Sequence, residues 1–190
     1  RGLGDVYKRQ GWSHSSNNLI LNTNLYYMNY ENQLVLTGAL DDVGSPIRLN
    51  SVKSYRAGVE IESGFKVSEK INLAGNLSLS ENKNIDYVSK FNGELINFGD
   101  TDISYSPSFI SSVAINYSPN SRLDLSLLNK HVGEQFMSNN GSSFSKLDSY
   151  SVVDLNFRYT FDELNLFDQL SINLLINNIL SAEYVSNGYY

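Results

Sequence analysis

Cysteine is absent from this 190-residue chain, and proline occurs only three times. Without cysteine the chain has no disulfide framework and no thiolate metal site. Long apolar runs are missing too, since no stretch reaches the roughly 18 apolar residues that a transmembrane helix needs. No secretory signal peptide is recognisable. The net charge is −6 and no cluster of Lys and Arg stands out, which argues against a nucleic-acid partner.

Catalytic and metal-binding patterns are also missing. The two histidines, His14 and His131, have no ligand-like spacing, and we interpret each as a loop or rim residue. There is no Gly-x-Ser-x-Gly, no phosphate-binding glycine loop and no His-Glu-x-x-His. The acidic pairs Asp41–Asp42 and Asp100/Asp102 fall in predicted loops, where solvated charge is favoured over Ca²⁺ binding. We therefore expect no enzyme, no resident metal or cofactor, and no assignable ligand-binding residue.

What the sequence has in abundance is alternation of polar and apolar residues. Residues 55–65 show it best, because their odd positions are mostly apolar and their even positions are charged residues or glycine. This period of two predicts a strand with one apolar and one polar face. The run begins with Tyr55 and ends with Phe65. A transmembrane β-strand needs about 9–11 residues, and aromatic girdles mark the two membrane interfaces.

We predict seven such strands, at residues 17–36, 52–66, 70–88, 103–118, 122–137, 148–161 and 169–180. Their connections alternate between short and long. The long ones are rich in Gly, Asn, Asp and Ser, which favour turns and irregular backbone; they cover residues 37–51, 89–102 and 138–147. Short turns at one end and long loops at the other are typical of a bacterial outer-membrane barrel, with turns in the periplasm and loops outside the cell.

The two faces of the predicted strands differ in chemistry. Apolar residues that we expect to face lipid are Val59, Ile61, Leu73, Leu77, Val113, Ile115, Leu125, Leu155, Phe157, Ile172 and Leu174. Aromatic residues of the same parity fall at the periplasmic ends (Phe65, Tyr117, Tyr159, Phe161) and near the extracellular ends (Tyr27, Tyr55, Tyr87, Tyr105, Tyr184). Inward charges line the predicted lumen, namely Arg56, Glu60, Glu62, Asp124, Asp154 and Arg158. Hydration and lateral pairing are the favoured interpretation of these charges, and contact with a plug or ligand is the alternative.

The fold class is therefore predicted to be all-β: an antiparallel up-and-down transmembrane β-barrel, present in part. A soluble β-sandwich also alternates, but its strands usually have about 5–6 residues. Seven strands leave two open edges, which lipid does not tolerate, so we expect the rest of the barrel to lie outside this sequence. Residues 1–10 match nothing downstream, and we expect a non-native or disordered lead-in there, followed by the barrel domain over residues 11–190.

Two segments resemble a known family. Residues 25–38, which begin Leu-Tyr-Tyr-Met-Asn-Tyr, and the following 42–50 and 54–60 resemble the C-terminal half of TonB-dependent receptors of the Bacteroidetes iron-complex (siderophore) type. Residues 177–190, which begin Asn-Asn-Ile-Leu-Ser-Ala-Glu-Tyr, resemble the penultimate strand of that family and the loop after it. Together with the strand rhythm, the resemblance covers residues 11–190.

The resemblance implies a 22-stranded barrel in the outer membrane of a Gram-negative bacterium, plugged by an N-terminal domain. Such receptors take up scarce ligands such as ferric siderophores, haem or cobalamin. The implied partners are outer-membrane lipid, the plug and remaining strands, the TonB complex acting through the plug, and an iron complex or similar ligand. The chain shows no plug, no TonB-contacting box and no final strand. A porin-like or adhesin-like barrel without a plug, and a soluble β-rich binding module, remain as alternatives.

Overall fold

The computed structural model describes residues 6–91, 94–164 and 167–188. Its strands are β1 Val6–Ser15, β2 Leu19–Leu40, β3 Pro46–Lys66, β4 Ile71–Ile85, β5 Val88–Phe91, β6 Glu94–Asn97, β7 Thr101–Asp102, β8 Phe109–Asn120, β9 Leu123–Val132, β10 Gln135–Phe136, β11 Lys146–Leu147, β12 Tyr150–Leu164 and β13 Phe167–Ile176. A 3-10 helix occupies Ser143–Ser145. Among the described residues, no helix is long and apolar enough to cross a membrane.

Eight long strands form one antiparallel sheet in the order β1-β2-β3-β4-β8-β9-β12-β13. We call these eight strands the wall. Each strand pairs with its neighbour along the wall, and β7 adds a short pairing to the upper end of β4. Within the described residues β1 and β13 are the two open edges. The predicted antiparallel up-and-down order is confirmed, and a two-layered sandwich is not what the chain forms.

Tight turns close one end of the wall, which we call the turn end. Between β3 and β4, the hydroxyl Oγ of Ser68 accepts hydrogen bonds from the backbone N–H groups of Lys70 and Ile71, at 3.2 and 3.1 Å. Between β8 and β9, the Oδ1 atom of Asn120 accepts from the N–H groups of Arg122 and Leu123, at 2.9 and 3.1 Å. Side chains of this kind imitate a backbone turn and allow very short connections. The opposite end, with its longer loops, is the loop end.

The strand register sorts the side chains into two faces. On the apolar face Leu25 lies opposite Val59, and Val59 lies opposite Leu79 on the next strand. On the polar face Asn24 lies opposite Glu60, which lies opposite Ser78. The same division continues across β8, β9, β12 and β13, where Phe157 and Leu174 share the apolar face and Arg158 and Asn173 share the polar face. The predicted parity of the strands is therefore confirmed as a division between two faces.

Aromatic residues border the apolar face at both ends. At the loop end the rings of Tyr27 and Tyr55 stack, with centroids 6.2 Å apart. At the turn end Tyr159 and Phe161 meet edge to face, with centroids 4.7 Å apart. Tyr55 and Phe65 are ten residues apart on one strand. At roughly 3.3 Å per residue and a tilt of roughly 40°, this separation is about 25 Å, the height of the apolar band of an outer-membrane barrel.

The strand count differs from the prediction at the N-terminal side. Residues 6–15 form β1, which pairs with β2 from Val6 opposite Asn29 to Ser15 opposite Ile20. The expectation of a disordered lead-in is therefore wrong for residues 6–10, while residues 1–5 lie outside the described residues. Sequence patterning missed β1 because Lys8 and Gln10, at apolar-face positions, interrupt the alternation.

Two predicted boundaries also change. Residues 37–51 were expected to be a long loop, but β2 and β3 extend through most of them to a turn at residues 41–45. Asp41 holds this turn, since its Oδ1 accepts from the N–H groups of Val43 and Ser45 at 3.0 and 2.7 Å. Conversely, the strand predicted from residue 103 begins only at Phe109. Tyr105 has a left-handed φ of 51°, and Pro107 has no N–H group for a ladder, so this segment leaves the sheet.

Candidate functional site

The most tightly packed part of the described chain lies at the loop end, beyond the aromatic border. It consists of the loop-end part of β4 with residues 86–91 and 94–108, and of residues 133–149 between β9 and β12. We call these segments the cap. Tyr87, Ile103 and Leu147 are buried there, and so are the polar residues Asn84, Thr101, Ser104, Ser138, Asn139 and Ser145. Since the wall buries almost none of its side chains, the cap is where the chain builds an interior of its own.

Asn139 connects the two loops of the cap. Its Oδ1 accepts from the backbone N–H of Ser104 at 2.8 Å and from the Nδ2 of Asn84 at 3.0 Å. Its Nδ2 donates to the Ser104 hydroxyl at 3.3 Å. Both Asn84 and Asn139 are fully buried. The Asn84 Oδ1 has no hydrogen-bond partner among the described residues. The Asn139 amide thus joins its own loop to a wall strand, through Asn84, and to the other cap loop, through Ser104.

Next to Asn139, the second loop is folded on itself. The Ser138 hydroxyl donates to the Asn140 Oδ1 at 2.6 Å, and its oxygen lies 3.0 Å from the Ser145 hydroxyl. The backbone N–H of Met137 donates to the Ser145 carbonyl at 2.7 Å. These bonds place Asn139 at the top of a closed turn, so its amide is held in one position.

Tyr105 joins a third segment to the cap. Its N–H donates to the Phe136 carbonyl at 2.8 Å. Its hydroxyl donates to the carbonyl of Gly188, in the segment that follows β13. In that segment the ring of Tyr184 also stacks on Tyr150 at 4.3 Å. Of the five tyrosines expected at the extracellular border, Tyr27 and Tyr55 lie on the apolar face, whereas Tyr87 is buried in the cap instead.

Two ion pairs and one buried phenol set the electrostatics of the cap. Lys83 Nζ lies 2.7 Å from the Asp102 Oδ1, and Lys146 Nζ lies 2.6 Å from the Glu134 Oε2. The hydrogen bond and charge of Glu134 raise the pKa of the Lys146 ammonium. Burial raises the pKa of the Tyr87 phenol. The cap therefore holds its protons more strongly than the unfolded chain does.

A cavity of about 300 Å³ opens where residues 103–108 leave the sheet, between β4, this segment and β10. Its neutral lining residues are Ser80, Asn82, Ser106, Ser108, Gln135 and Phe136, and its charged lining residues are Glu81, Lys83, Asp102 and Glu134. Of the three carboxylates, Asp102 and Glu134 are paired with lysines. Most of these groups can donate or accept hydrogen bonds. The cavity is thus polar, and it lies beside the polar face of the wall.

Arg56 lies on the polar face next to this cavity. Its Nη1 donates to the Asn82 Oδ1 at 3.2 Å and to the Ser106 hydroxyl at 2.9 Å, so the side chain reaches from β3 across β4 to the cap. Both acceptors are neutral. Among the described residues, no carboxylate lies within ion-pair distance of Arg56. The guanidinium is therefore held in place without being neutralised.

The other predicted lumen charges are mostly engaged with neighbours. Arg158 pairs with Asp124 through two bonds, at 2.9 and 2.5 Å. Glu60 pairs with Arg9 at 3.4 Å. Asp154 accepts from the backbone N–H of Asn178 at 2.7 Å. The sixth charge, Glu62, lies opposite Asn22 and Asn76. Lateral pairing, the favoured interpretation from sequence, thus describes Asp124, Arg158 and Glu60, but not Arg56.

Aromatic side chains also lie on the polar face close to Arg56. Met28 is directly opposite Arg56, and Tyr26 and Tyr30 lie two residues to either side of Met28. Tyr30 donates to the Met28 sulfur at 2.9 Å. A Cβ on Gly58 would lie 2.6 Å from the Tyr26 hydroxyl and 2.5 Å from the Leu79 carbonyl oxygen, so glycine makes room for the Tyr26 ring.

The histidines and acidic pairs take structural positions. His131 lies near the loop end of β9, where its Nδ1 is 2.8 Å from the Ser151 hydroxyl. His14 lies in β1, stacked on Trp12 at 6.0 Å. Asp100 accepts from the Asp86 N–H at 3.1 Å, and Asp102 pairs with Lys83. In the described part of the chain, no three His, Asp or Glu residues lie together in a way that could hold a metal ion.

Sequence patterning missed the asparagines and serines that build the cap. Asn84 and Ser104 fall within predicted strands, and Asn139 and Ser145 fall within a predicted loop. Their only signal was a local abundance of Asn and Ser, which indicates turns. Nothing in that signal reveals that Asn139 pairs with residues 35 and 55 positions away.

Comparisons with known proteins agree with this geometry. A family profile described as "TonB dependent receptor-like, beta-barrel" matches residues 7–179. A search of curated proteins found no match. Among solved structures, the siderophore receptor PiuA from Acinetobacter baumannii is similar, with a TM-score of 0.70, 16% identity and coverage of 97% of this chain and 25% of PiuA.

Two further solved structures show the same fold. The ferric yersiniabactin uptake receptor FyuA from Yersinia pestis has a TM-score of 0.71 and 13% identity, and the match covers 98% of this chain and 26% of FyuA. The copper transporter OprC has a TM-score of 0.69 and 14% identity, with coverage of 95% and 26%. The chain thus spans about a quarter of the length of these receptors.

Proposed function

The chain belongs to the TonB-dependent receptor β-barrel family, and we propose that it is the barrel segment of an outer-membrane transporter for a ferric siderophore or a similarly scarce ligand. The apolar face then contacts outer-membrane lipid and the polar face lines the lumen. The turn end lies in the periplasm and the cap lies outside the cell. The single observation that supports this placement best is the apolar band of about 25 Å between two aromatic borders.

The proposed partners follow from the same placement. The open edges β1 and β13 require neighbouring strands, because unpaired N–H and C=O groups are not tolerated in lipid. The polar face requires a filled or hydrated lumen, which the N-terminal plug of the parent receptor provides. The TonB complex acts through that plug. The proposed role is transport rather than catalysis, because the matching family consists of receptors.

The proposed location is the outer membrane of a Gram-negative bacterium, and the proposed ligand class has support from structural relatives. PiuA and FyuA are named for siderophore and ferric yersiniabactin uptake, and OprC is named as a copper transporter. The polar cavity beside Arg56 lies where a ligand arriving from the extracellular side meets the lumen.

Uptake by the full-length parent receptor tests the proposal. The gene is expressed in a bacterium that lacks its own ferric receptors, and entry of radiolabelled iron is measured from ferric citrate, ferric enterobactin and ferrioxamine B. We expect uptake of at least one complex, and its loss when TonB is deleted. Entry of many small solutes irrespective of TonB would instead identify a porin-like barrel.

We also propose that residues 11–190 are the barrel segment proper and that residues 1–10 are not native to it, although the family profile begins at residue 7 and β1 begins at Val6. In β1, Lys8 and Gln10 occupy lipid-facing positions opposite Tyr27 and Leu25. Lys8 lies level with Tyr27 at the aromatic border and Gln10 lies deeper in the apolar band, and both interrupt the run of apolar residues on this face. Independent sequencing of the parent gene tests this, and an uninterrupted reading frame that encodes residues 1–10 would contradict it.

A further inference from the structure

We propose that Arg56 recognises an anionic oxygen group of the transported ligand, and that Asn139 is a positioning residue that holds Arg56 through Ser104 and Ser106. The inference rests on the proposed transport function and names the ligand chemistry of the same lumen. In this proposal the cap loop that contains Asn139 is coupled to Arg56 of the wall strand β3.

The hydrogen bonding of Arg56 leaves it able to bind an anion. A guanidinium has five N–H donors and no acceptor. In the described part of the chain, Nη1 is the only guanidinium nitrogen with a hydrogen-bond partner, and its partners are Asn82 and Ser106. By contrast Arg9, Arg122 and Arg158 each face a carboxylate. A planar guanidinium with free donors binds a carboxylate or similar oxyanion through two parallel hydrogen bonds.

A continuous chain of hydrogen bonds connects Arg56 with the second cap loop. The Ser106 hydroxyl accepts from Arg56 at 2.9 Å and donates to the Ser104 carbonyl at 3.1 Å. Ser104 in turn donates its N–H to Asn139 at 2.8 Å. Asn139 and Ser104 are buried. A shift of the loop around Asn139 therefore moves Ser104 and Ser106, and with them the acceptor that fixes the guanidinium.

The surroundings of Arg56 fit a ligand that combines charge with an apolar or aromatic part. Tyr26, Met28 and Tyr30 lie beside Arg56 on the same face, while most other aromatic residues of the wall lie on the lipid side. The cavity of about 300 Å³ shares Asn82 and Ser106 with Arg56. The cation and the rings thus lie together on the polar face, and the cavity, which they do not line, lies next to them.

Binding to the purified full-length receptor tests the role of Arg56. The probes are ferric citrate, an anionic carboxylate complex, and ferrioxamine B, a cationic complex. We expect Arg56→Gln to weaken ferric citrate binding by about tenfold or more, since a hydrogen bond to a charged group typically contributes that much. Ferrioxamine B binding is expected to change by less than about twofold.

Arg158→Gln is the matched control. It removes the same charge from the lumen wall, but Arg158 is already neutralised by Asp124. We expect it to leave ferric citrate binding nearly unchanged. Equal losses in the two variants would show a general effect of luminal charge and overturn the proposal. A wild-type receptor that does not prefer ferric citrate to ferrioxamine B would overturn it as well.

The positioning role of Asn139 is tested by selectivity and by non-additivity. Ser106→Ala removes the group between Arg56 and the cap and leaves the buried Asn139 amide in place. We expect Ser106→Ala and Asn139→Ala each to weaken ferric citrate binding several-fold, and to have little further effect when combined with Arg56→Gln. Additive losses, or equal losses for both probes, would show a merely structural role. If Asn139→Ala does not fold, Ser106→Ala alone decides.

These outcomes separate the two proposals. A receptor that takes up iron in a TonB-dependent manner but binds ferric citrate equally well after Arg56→Gln contradicts only the role of Arg56. A receptor that transports none of the complexes contradicts the transport proposal, while the binding measurements still report on Arg56.

Discussion

In the wall, Leu25, Ile172 and Leu174 each leave half or more of their surface exposed, whereas in the cap Asn84 and Asn139 are fully buried. The usual arrangement of a water-soluble protein is thus inverted between the two regions. The apolar residues lie on a bare sheet face, and the polar residues form the interior. A face of this kind is stable only when another apolar medium covers it.

The difference shows where the stability of each region originates. In the proposed placement the stability of the wall depends on lipid and on neighbouring strands, and its two faces meet two different surroundings. The cap depends on hydrogen bonds within the chain, since its buried polar groups are costly unless they are paired. A substitution in the wall should therefore alter stability through contacts with lipid. A substitution in the cap should alter stability through the hydrogen bonds that it removes.

The strongest test of this comparison is a charge in the middle of the wall. Leu155→Arg in the full-length receptor places a cation on the lipid-facing side of β12. We expect a loss of about 2–4 kcal/mol in the free energy of unfolding, measured by refolding into lipid vesicles. The neighbouring Asn156→Arg points to the lumen and should cost far less. Equal effects at both positions would contradict the assignment of the faces.

A smaller effect is expected from Asn139→Ala in the cap. The change leaves the Ser104 N–H and the Asn84 amide without their shared acceptor, which should cost about 1–3 kcal/mol. We expect faster amide hydrogen exchange over residues 82–106 and unchanged exchange in β12 and β13.

Asn84→Ala is the matched control for that cap prediction. It also removes the hydrogen bond to Asn139, but it deletes an amide oxygen that has no partner among the described residues. Its cost should therefore be clearly below that of Asn139→Ala. The reverse order would contradict the central position of Asn139 in the cap.

Two wall glycines give a sharper test on a single strand. Gly58→Ala forces a Cβ against the Tyr26 ring and the Leu79 carbonyl, and should destabilise the receptor by about 1 kcal/mol or somewhat more. Gly64→Ala adds a Cβ that meets nothing within 4 Å. It should be neutral or slightly stabilising, because alanine restricts the unfolded chain. The test is to measure the denaturant concentration at the midpoint of unfolding for both variants. Equal shifts of this midpoint would contradict the close approach of Tyr26 and the Leu79 carbonyl to Gly58.

The smallest expected effect is a response of the cap to alkaline pH. The pKa values of Tyr87 and Lys146 are both raised in the folded chain. The folded state therefore keeps its protons longer than the unfolded state, and the stability contributed by these groups is present below about pH 10 and decreases above it. Proteolysis of the cap should accelerate above that pH while the wall resists, and Tyr87→Phe should reduce the change. A cap that is cleaved at the same rate below and above about pH 10 would contradict this.

The wall could be predicted from sequence because the alternation of polar and apolar residues along a strand shows on which face of the sheet each residue lies. Leu73 and Asn72 were assigned correctly from their neighbours alone, and the register of β3 with β4 follows once the faces are known. The predicted ends of strands were wrong where the alternation of polar and apolar residues carries no information. The extension of β2 and β3 toward residue 41 and the late start of β8 at Phe109 depend on a side-chain-held turn and on a segment that leaves the sheet.

The cap could not be predicted in the same way. Asn139, Ser104 and Arg56 are brought together by contacts across three separate segments, and hydrogen-bonded polar residues have no periodic signature. Arg56 was recognised as an inward charge, but its distinction from Arg158 appears only when Asp124 is seen beside one and neutral oxygens beside the other.

The hairpin formed by β2 and β3 continues well past Tyr27 to a fully exposed turn at residues 41–45. Asp41 follows Tyr27 by 14 positions, and the 13 residues between them lie on β2. The tip therefore rises on the order of 35 Å above the aromatic border at a tilt of roughly 40°. In the proposed orientation this tip projects into the medium outside the cell. It is also a natural position for surface display, because exposed loop tips accept inserted peptides. An epitope tag placed at the turn would be labelled on intact cells, from the outside.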